Sequence, residues 1–188
     1  MVCAGSSYED AIMTPATSSI ATVVGADDPT IQALFADAAS RWRAAGLNVI
    51  GLIAETHGLE NRVCRAGYLR DVVSGKAFSI YVETPRAETS CHLDTDGVET
   101  ACAELLKQIA DCDIVVLSKF GKLEAERGGL APAFDAAIEA GKPVLTTVSQ
   151  RHRKSWTGYT ADGAVYLSPD EAALDQWRAS VQKSATSL

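Results

Sequence analysis

Short apolar runs alternate along this chain with longer stretches in which the apolar positions recur every three or four residues. "SIATVVG", "LNVIGLIAE", "DIVVL" and "PVLTTVS" are β-branched runs bounded by turn residues, and they predict strands at 20–24, 49–54, 114–117 and 144–148. Between the first two, "DPTIQALFADAASRWRAAG" predicts a helix with Asp28 at the N-cap, Pro29 at its first position and Gly46 as its stop. In "DGVETACAELLKQIAD" the residues Val98, Ala101, Cys102, Leu105, Leu106 and Ile109 fall on one helical face, and Asp94 is expected to cap that helix near Asp96. "LAPAFDAAIEAG" predicts another helix. "SPDEAALDQWRASVQK" predicts the last, opened by a capping box of Ser168 and Glu171 around Pro169. "YLRDVVSG" and "KAFSIYVE" alternate around a Ser-Gly turn and predict a hairpin.

Strands separated by helices are the pattern of an α/β fold, a mostly parallel sheet covered by helices on both faces, with the hairpin added to it. The expected organisation is a mobile N-terminal arm over residues 1–18, rich in Ser, Thr and Ala, followed by one α/β domain over residues 19–188. Ligands of such sheets bind beyond the carboxyl ends of the strands, which places the loops at 25–28, 118–129 and 149–156 on one edge.

Charge narrows the function classes. The chain has 17 basic against 24 acidic residues, net -7, so the overall footprint of a nucleic-acid or anionic-membrane binder is missing. No apolar run reaches the roughly 20 residues of a bilayer span, and the N-terminal stretch has acidic residues and no apolar core, so a cytoplasmic location is expected. The five cysteines, Cys3, Cys64, Cys91, Cys102 and Cys112, lack zinc-ribbon spacing and are expected as free thiols, with Cys102 and Cys112 in the core.

A phosphate-binding loop needs glycines that turn backbone N–H groups to the anion, a Lys for the terminal phosphates and a hydroxyl for magnesium. The first strand instead leads into "GADDPT", with one glycine, no Gly-Lys pair and two carboxylates. The strand at 114–117, which in a nucleotide hydrolase delivers a carboxylate to magnesium, runs into Ser118 and Lys119. Its loop carries Ser118, Lys119, Lys122 and Arg127 beside Gly128 and Gly129, a set suited to a small anion through backbone N–H groups and charge-assisted bonds. The alternative is that Lys119 and Lys122 are solvated or paired with Glu124 and Glu126.

In "SCHLD", Cys91 stands beside His92, and Cys64 lies in "NRVCRAG"; these three residues form a possible ligand or thiol site, set against buried small side chains. His57 and His152 lie in loops with no neighbouring nucleophile. Trp156 and Tyr159 either stack on a ring or close a loop over the core.

The run "SKFGKLE" resembles the Ile-Gly-Lys-Met-Glu segment of the P-loop nucleoside-triphosphatase family of thermophiles and vertebrates, without the two acids that precede it there. "AIEAGKPVLTTVSQRH" is similar to that family's next helix, Lys-Pro-Val strand and basic loop. The chain also resembles a bacterial family of degenerate P-loop proteins often encoded near molybdate-transport genes, which carries Gly-Cys-Arg-Leu-Asp, Asn-Arg-Phe-Gly-Lys-Gln-Glu and Pro-Val-Leu-Thr. Here these read "SCHLD", "SKFGKLE" and "PVLTTV", and the likeness runs over residues 20–159, with Ser90 for the usual Gly and His92 for the usual Arg.

The resemblance implies a P-loop NTPase-like fold, while the residues lack the parts that phosphoryl transfer needs. The expectation is a non-hydrolytic protein with no catalytic residue that binds a small anion at Ser118, Lys119, Lys122, Arg127, Gly128 and Gly129. By the resemblance the ligand is molybdate or another oxyanion, held for storage, sensing or delivery in metal homeostasis. Two other classes stand beside it, a nucleotide-binding or nucleoside-triphosphatase enzyme with an unconventional site and a regulatory protein-interaction module. A homo-oligomer through an exposed sheet edge is also expected.

Overall fold

The computed structural model describes residues 18–58, 66–83 and 92–186. The expected N-terminal arm, apart from Ser18, and Cys3, Cys64 and Cys91 lie outside these residues.

Seven strands form one sheet: β1 (Ile20–Val23), β2 (Val49–Thr56), β3 (Ala66–Asp71), β4 (Ala77–Ser79), β5 (Ile114–Leu117), β6 (Val144–Thr147) and β7 (Ala164–Leu167). The spatial order is β4-β3-β2-β5-β6-β1-β7; β2, β5, β6, β1 and β7 run parallel, and β3 and β4 form the predicted antiparallel hairpin on the outside of β2. Helices are α1 (Asp28–Ala44), α2 (Thr95–Leu106), α3 (Lys122–Ala125), α4 (Ala131–Glu139), α5 (Arg153–Tyr159) and α6 (Glu171–Thr186). The architecture is α/β, a mostly parallel sheet with helices on both faces, and it fits a P-loop NTPase-like fold.

Alternation along each strand explains the continuous apolar runs. Val115 and Leu117 join Ile50, Leu52 and Val144 under α2, α4 and Trp156 of α5, while Ile114 and Val116 join Ala21, Val23, Val49 and Leu145 under Phe35 and Trp42 of α1 and Leu174 and Trp177 of α6. A strand buried on both sides has no solvated face and so shows no polar alternation. Close contact fixes Gly51, Gly67 and Gly97: a Cβ at Gly51 would lie 2.1 Å from the Val116 carbonyl oxygen in the neighbouring strand, one at Gly67 would lie 2.4 Å from His57 N, and one at Gly97 would lie 2.0 Å from the Ser79 carbonyl oxygen.

Several local expectations are corrected. Asp27, not Asp28, caps α1, because its carboxylate accepts from Thr30 N at 3.0 Å; Asp28 is already inside the helix and is free to point elsewhere. The box expected of Ser168 and Glu171 does not form. Asp170 accepts from Ala173 N at 2.9 Å, Ser168 donates to Asp170, and Glu171 reaches Arg41 at 3.5 Å instead. Helix α2 stops at Leu106, which is exposed, and Ile109 reaches the core from a separate 3-10 turn. Strand β7, absent from the sequence expectation, extends the sheet past β1, and the stretch expected as a loop at 149–156 is a 3-10 turn running into α5. The expected Asp94 cap forms, with Asp96 N at 3.2 Å.

Candidate functional site at the carboxyl edge of the sheet

The connection leaving β1 lies on the α1 face and the connection leaving β6 lies on the α5 face, although β1 and β6 are neighbours. In open α/β sheets ligands sit beyond the carboxyl ends of the strands at such a change of direction. The segments after β1, β5 and β6 flank that point here, and their polar residues are distributed unevenly. Asp27 and Asp28 follow β1; Lys119 follows β5; Arg151, His152, Arg153 and Lys154 follow β6.

Lys119 is held at its base from two sides. The Ser118 carbonyl accepts from the side-chain amide of Gln32 at 2.7 Å, and the same amide's oxygen accepts from Ala54 N at 2.9 Å, so Gln32, itself buried, ties α1 to the ends of β5 and β2. On the other side Phe120 N donates to Thr147 O at 2.9 Å, and Phe120 pairs with Val148. The backbone around Lys119 is thereby fixed beside the start of the basic loop. The Lys119 ammonium reaches across the end of β6 to Asp28, Nζ to Oδ2 3.3 Å, with both side chains more than half exposed.

This pair reverses the polarity of a phosphate-binding site. There a Lys stands at the start of the helix and an acid at the neighbouring strand end; here the helix starts with Asp28 and the strand end gives Lys119. The helix N-terminus is occupied by its own Asp27 carboxylate. The loop after β1 carries no Gly-Lys pair, and the end of β5 carries Ser118 and Lys119.

The other members of the sequence-predicted anion set do not converge with Lys119 in the same way. Lys122 lies 3.9 Å from Glu126, and Arg127 lies 3.4 Å from Asp135 and over the ring of Tyr159. The loop between β5 and α4 is organised by Glu124, buried, whose two oxygens accept from Gly121 N at 2.9 Å and Leu130 N at 3.0 Å. Gly128 N donates to Leu123 O at 2.8 Å, and Gly129, at φ +59°, leaves room for the Glu124 carboxylate, which would lie 2.5 Å from a Cβ there. Glu124 is therefore a partner of the backbone and not of the lysines. Its spacing from Gly121, an acid three residues after a helix start, is a capping signal in "GKLE" that the charge-pair reading passed over.

Beneath this loop Phe120, Phe134, Trp156 and Tyr159 form one aromatic cluster, with Trp156 donating to Thr22 Oγ1 at 2.8 Å. Trp156 and Tyr159 thus close the loop over the core. Tyr159 donates to Asp135, and burial together with that carboxylate raises its hydroxyl pKa well above the ordinary value.

His92 lies at the far end of the same edge. Its ring stacks on Tyr81 at 5.4 Å, Tyr81 contacts His57 at 4.7 Å, and the Tyr81 hydroxyl is buried with no hydrogen-bond partner among the described residues. Among the described residues no three His, Cys, Asp or Glu side chains gather as a group able to hold a metal ion. Cys102 and Cys112 are buried in the core, and burial raises both thiol pKa values. Among the described residues no helix is long and apolar enough to cross a membrane.

Residues 20–177 match the model of a family described as a protein of unknown function, DUF2478. Over 160 residues the chain is 28% identical to the Molybdenum import ATP-binding protein ModC 2 of Bradyrhizobium diazoefficiens, a match that takes in 84% of this chain and 18% of that protein. The chain thus spans under a fifth of that relative's length. No solved structure matches.

Proposed function

Because the chain belongs to the DUF2478 family, described as of unknown function, we propose a role from its own residues: it binds a small tetrahedral oxyanion at the carboxyl edge of the sheet without hydrolysing nucleotide. The observation that carries this reading is Lys119, anchored at the strand end where a hydrolase needs an acid, with its ammonium group in an exposed pair with Asp28. Arg151, in the 3-10 turn after β6, and Lys154, in the first turn of α5, make no ion pair among the described residues and supply further positive charge. A tetrahedral oxyanion needs one or two cations and a few donors at such an edge.

The similarity to a molybdenum import ATP-binding protein supports molybdate as the ligand and storage, sensing or delivery in molybdenum handling as the role. The P-loop-like fold is then a retained scaffold. Lys122, Arg127 and the Gly128 and Gly129 backbone belong to this proposal as the outer part of the site, reached only if their present partners give way. Calorimetric titration with molybdate, tungstate, sulfate and phosphate tests it; saturable binding of at least one is expected, and none binding ends it.

One observation favours a second reading. The relative's name includes ATP binding, so a nucleotide site of unconventional form is the competing proposal. Phosphate release from ATP and GTP with magnesium is expected at background, and turnover would favour the enzyme. Partner binding enters through β7, whose outer edge pairs with no other strand among the described residues; light scattering at increasing concentration tests self-association there.

A further inference from the structure

Asp28 lies in the first turn of α1, where its charge suits the helix N-terminus, but it is not the residue that caps that helix. Asp27 already satisfies the capping role, Asp28 is exposed, and its ion pair is with Lys119. Lys119, by contrast, is one swinging side chain between two anchored neighbours: the Ser118 carbonyl is held by Gln32 and Phe120 is held by Thr147 and the aromatic cluster. Only the side chain moves when the pair opens. An ion pair this exposed is weak, so an anion of similar charge density can exchange for the carboxylate.

We infer that Asp28 is a built-in competitor for the oxyanion, a carboxylate that holds Lys119 in the structure and yields it to the incoming ligand. This rests on the oxyanion reading above and refines it: a site that carries its own displaceable carboxylate binds below its full capacity and suits release to an acceptor more than retention. Asp27 stays on the helix cap throughout. Arg151 stands on the neighbouring 3-10 turn as a cation that Asp28 does not engage, beside His152, whose Nδ1 lies 3.0 Å from the Ser149 hydroxyl.

The test is calorimetry of the full chain with molybdate and with sulfate at fixed ionic strength, on the wild type, Asp28→Asn, Lys119→Ala and the double variant, each checked by thermal melting. Removing the competitor tightens binding by about two- to fivefold, the range an exposed ion pair converts to. Lys119→Ala weakens it by about ten- to a hundredfold through loss of a charge-assisted bond. In the Lys119→Ala background the Asp28 substitution changes nothing, because the competition runs through that ammonium. Wild-type binding that Asp28→Asn leaves equal or weaker overturns the inference and spares the oxyanion reading. A gain that persists undiminished without Lys119 also overturns it, since the carboxylate then acts by repulsion at a distance. No binding of either anion by any folded variant removes the oxyanion reading and this inference together.

Discussion

Replacing Glu124 by Gln separates the structural part of the β5–α4 loop from the binding part. Glu124 is 6% exposed and its carboxylate spends both oxygens on backbone donors, Gly121 N and Leu130 N. Gln keeps the shape but has one acceptor, so one amide hydrogen must face the Gln NH2 group. A hydrogen bond to a charged group contributes roughly 1.5–3 kcal/mol and an orphaned buried N–H costs about 1–3 kcal/mol. Relief of the buried carboxylate's desolvation offsets part of this. The net expectation is a loss of about 2–3 kcal/mol, read as a lower urea midpoint at unchanged slope, with faster hydrogen exchange at Gly121 or Leu130. A loss under about 0.5 kcal/mol, the range of an ordinary surface change, with unaltered exchange at both amides, would refute the assignment of Glu124 as the clasp of the loop.

Thr22→Val removes the acceptor of the fully buried Trp156 indole N–H; a loss of about 1–3 kcal/mol is expected in denaturant unfolding, and an unchanged midpoint would contradict it. Asp175 joins α6 to α1 through Trp42 Nε1 at 2.6 Å and Arg41 at 2.7 Å. Partial burial pushes its pKa up, but these two partners outweigh that and leave it lowered. A depressed carboxylate contributes stability above its unfolded-state pKa, near 4, and that stability is lost as pH falls through the folded value. Asp175→Asn is therefore expected to cost about 1 kcal/mol at pH 7, discounted for solvent screening. The gap to the wild type should close below about pH 4, and a gap independent of pH would contradict this account.

The strands β1, β2, β5 and β6 were legible because each is buried on both faces and so appears as an unbroken apolar run. Strand β7 was not: "AVYL" is four residues long, only half-buried, and set between "ADG" and "SPD", so nothing in its own pattern outweighs the turn residues around it. Cap positions slipped by a residue or two where two or more candidate side chains adjoin, as at Asp27 and Asp28 or at Ser168, Asp170 and Glu171, since local chemistry permits either and helix packing decides. The loop after β1 and Lys119 at the end of β5 were visible, whereas the 3-10 turn and helix at 150–159 were not. The partner of Lys119 was not, because Asp28 lies 91 positions away and only the strand order brings the two together. Gln32 carried no signal at all: a glutamine inside an amphipathic helix looks solvated until the ends of β2 and β5 are placed over it.

The central claim is that this edge has a reversed charge pair and holds a small oxyanion in place of a metal-bound nucleotide. Titrating molybdate into the wild type and Lys119→Ala, with a parallel assay of phosphate release from magnesium ATP, tests it most directly. The account predicts saturable molybdate binding that falls by about tenfold or more without Lys119, and no release above background. Magnesium ATP turned over by the wild type, with molybdate giving no heat, would contradict it.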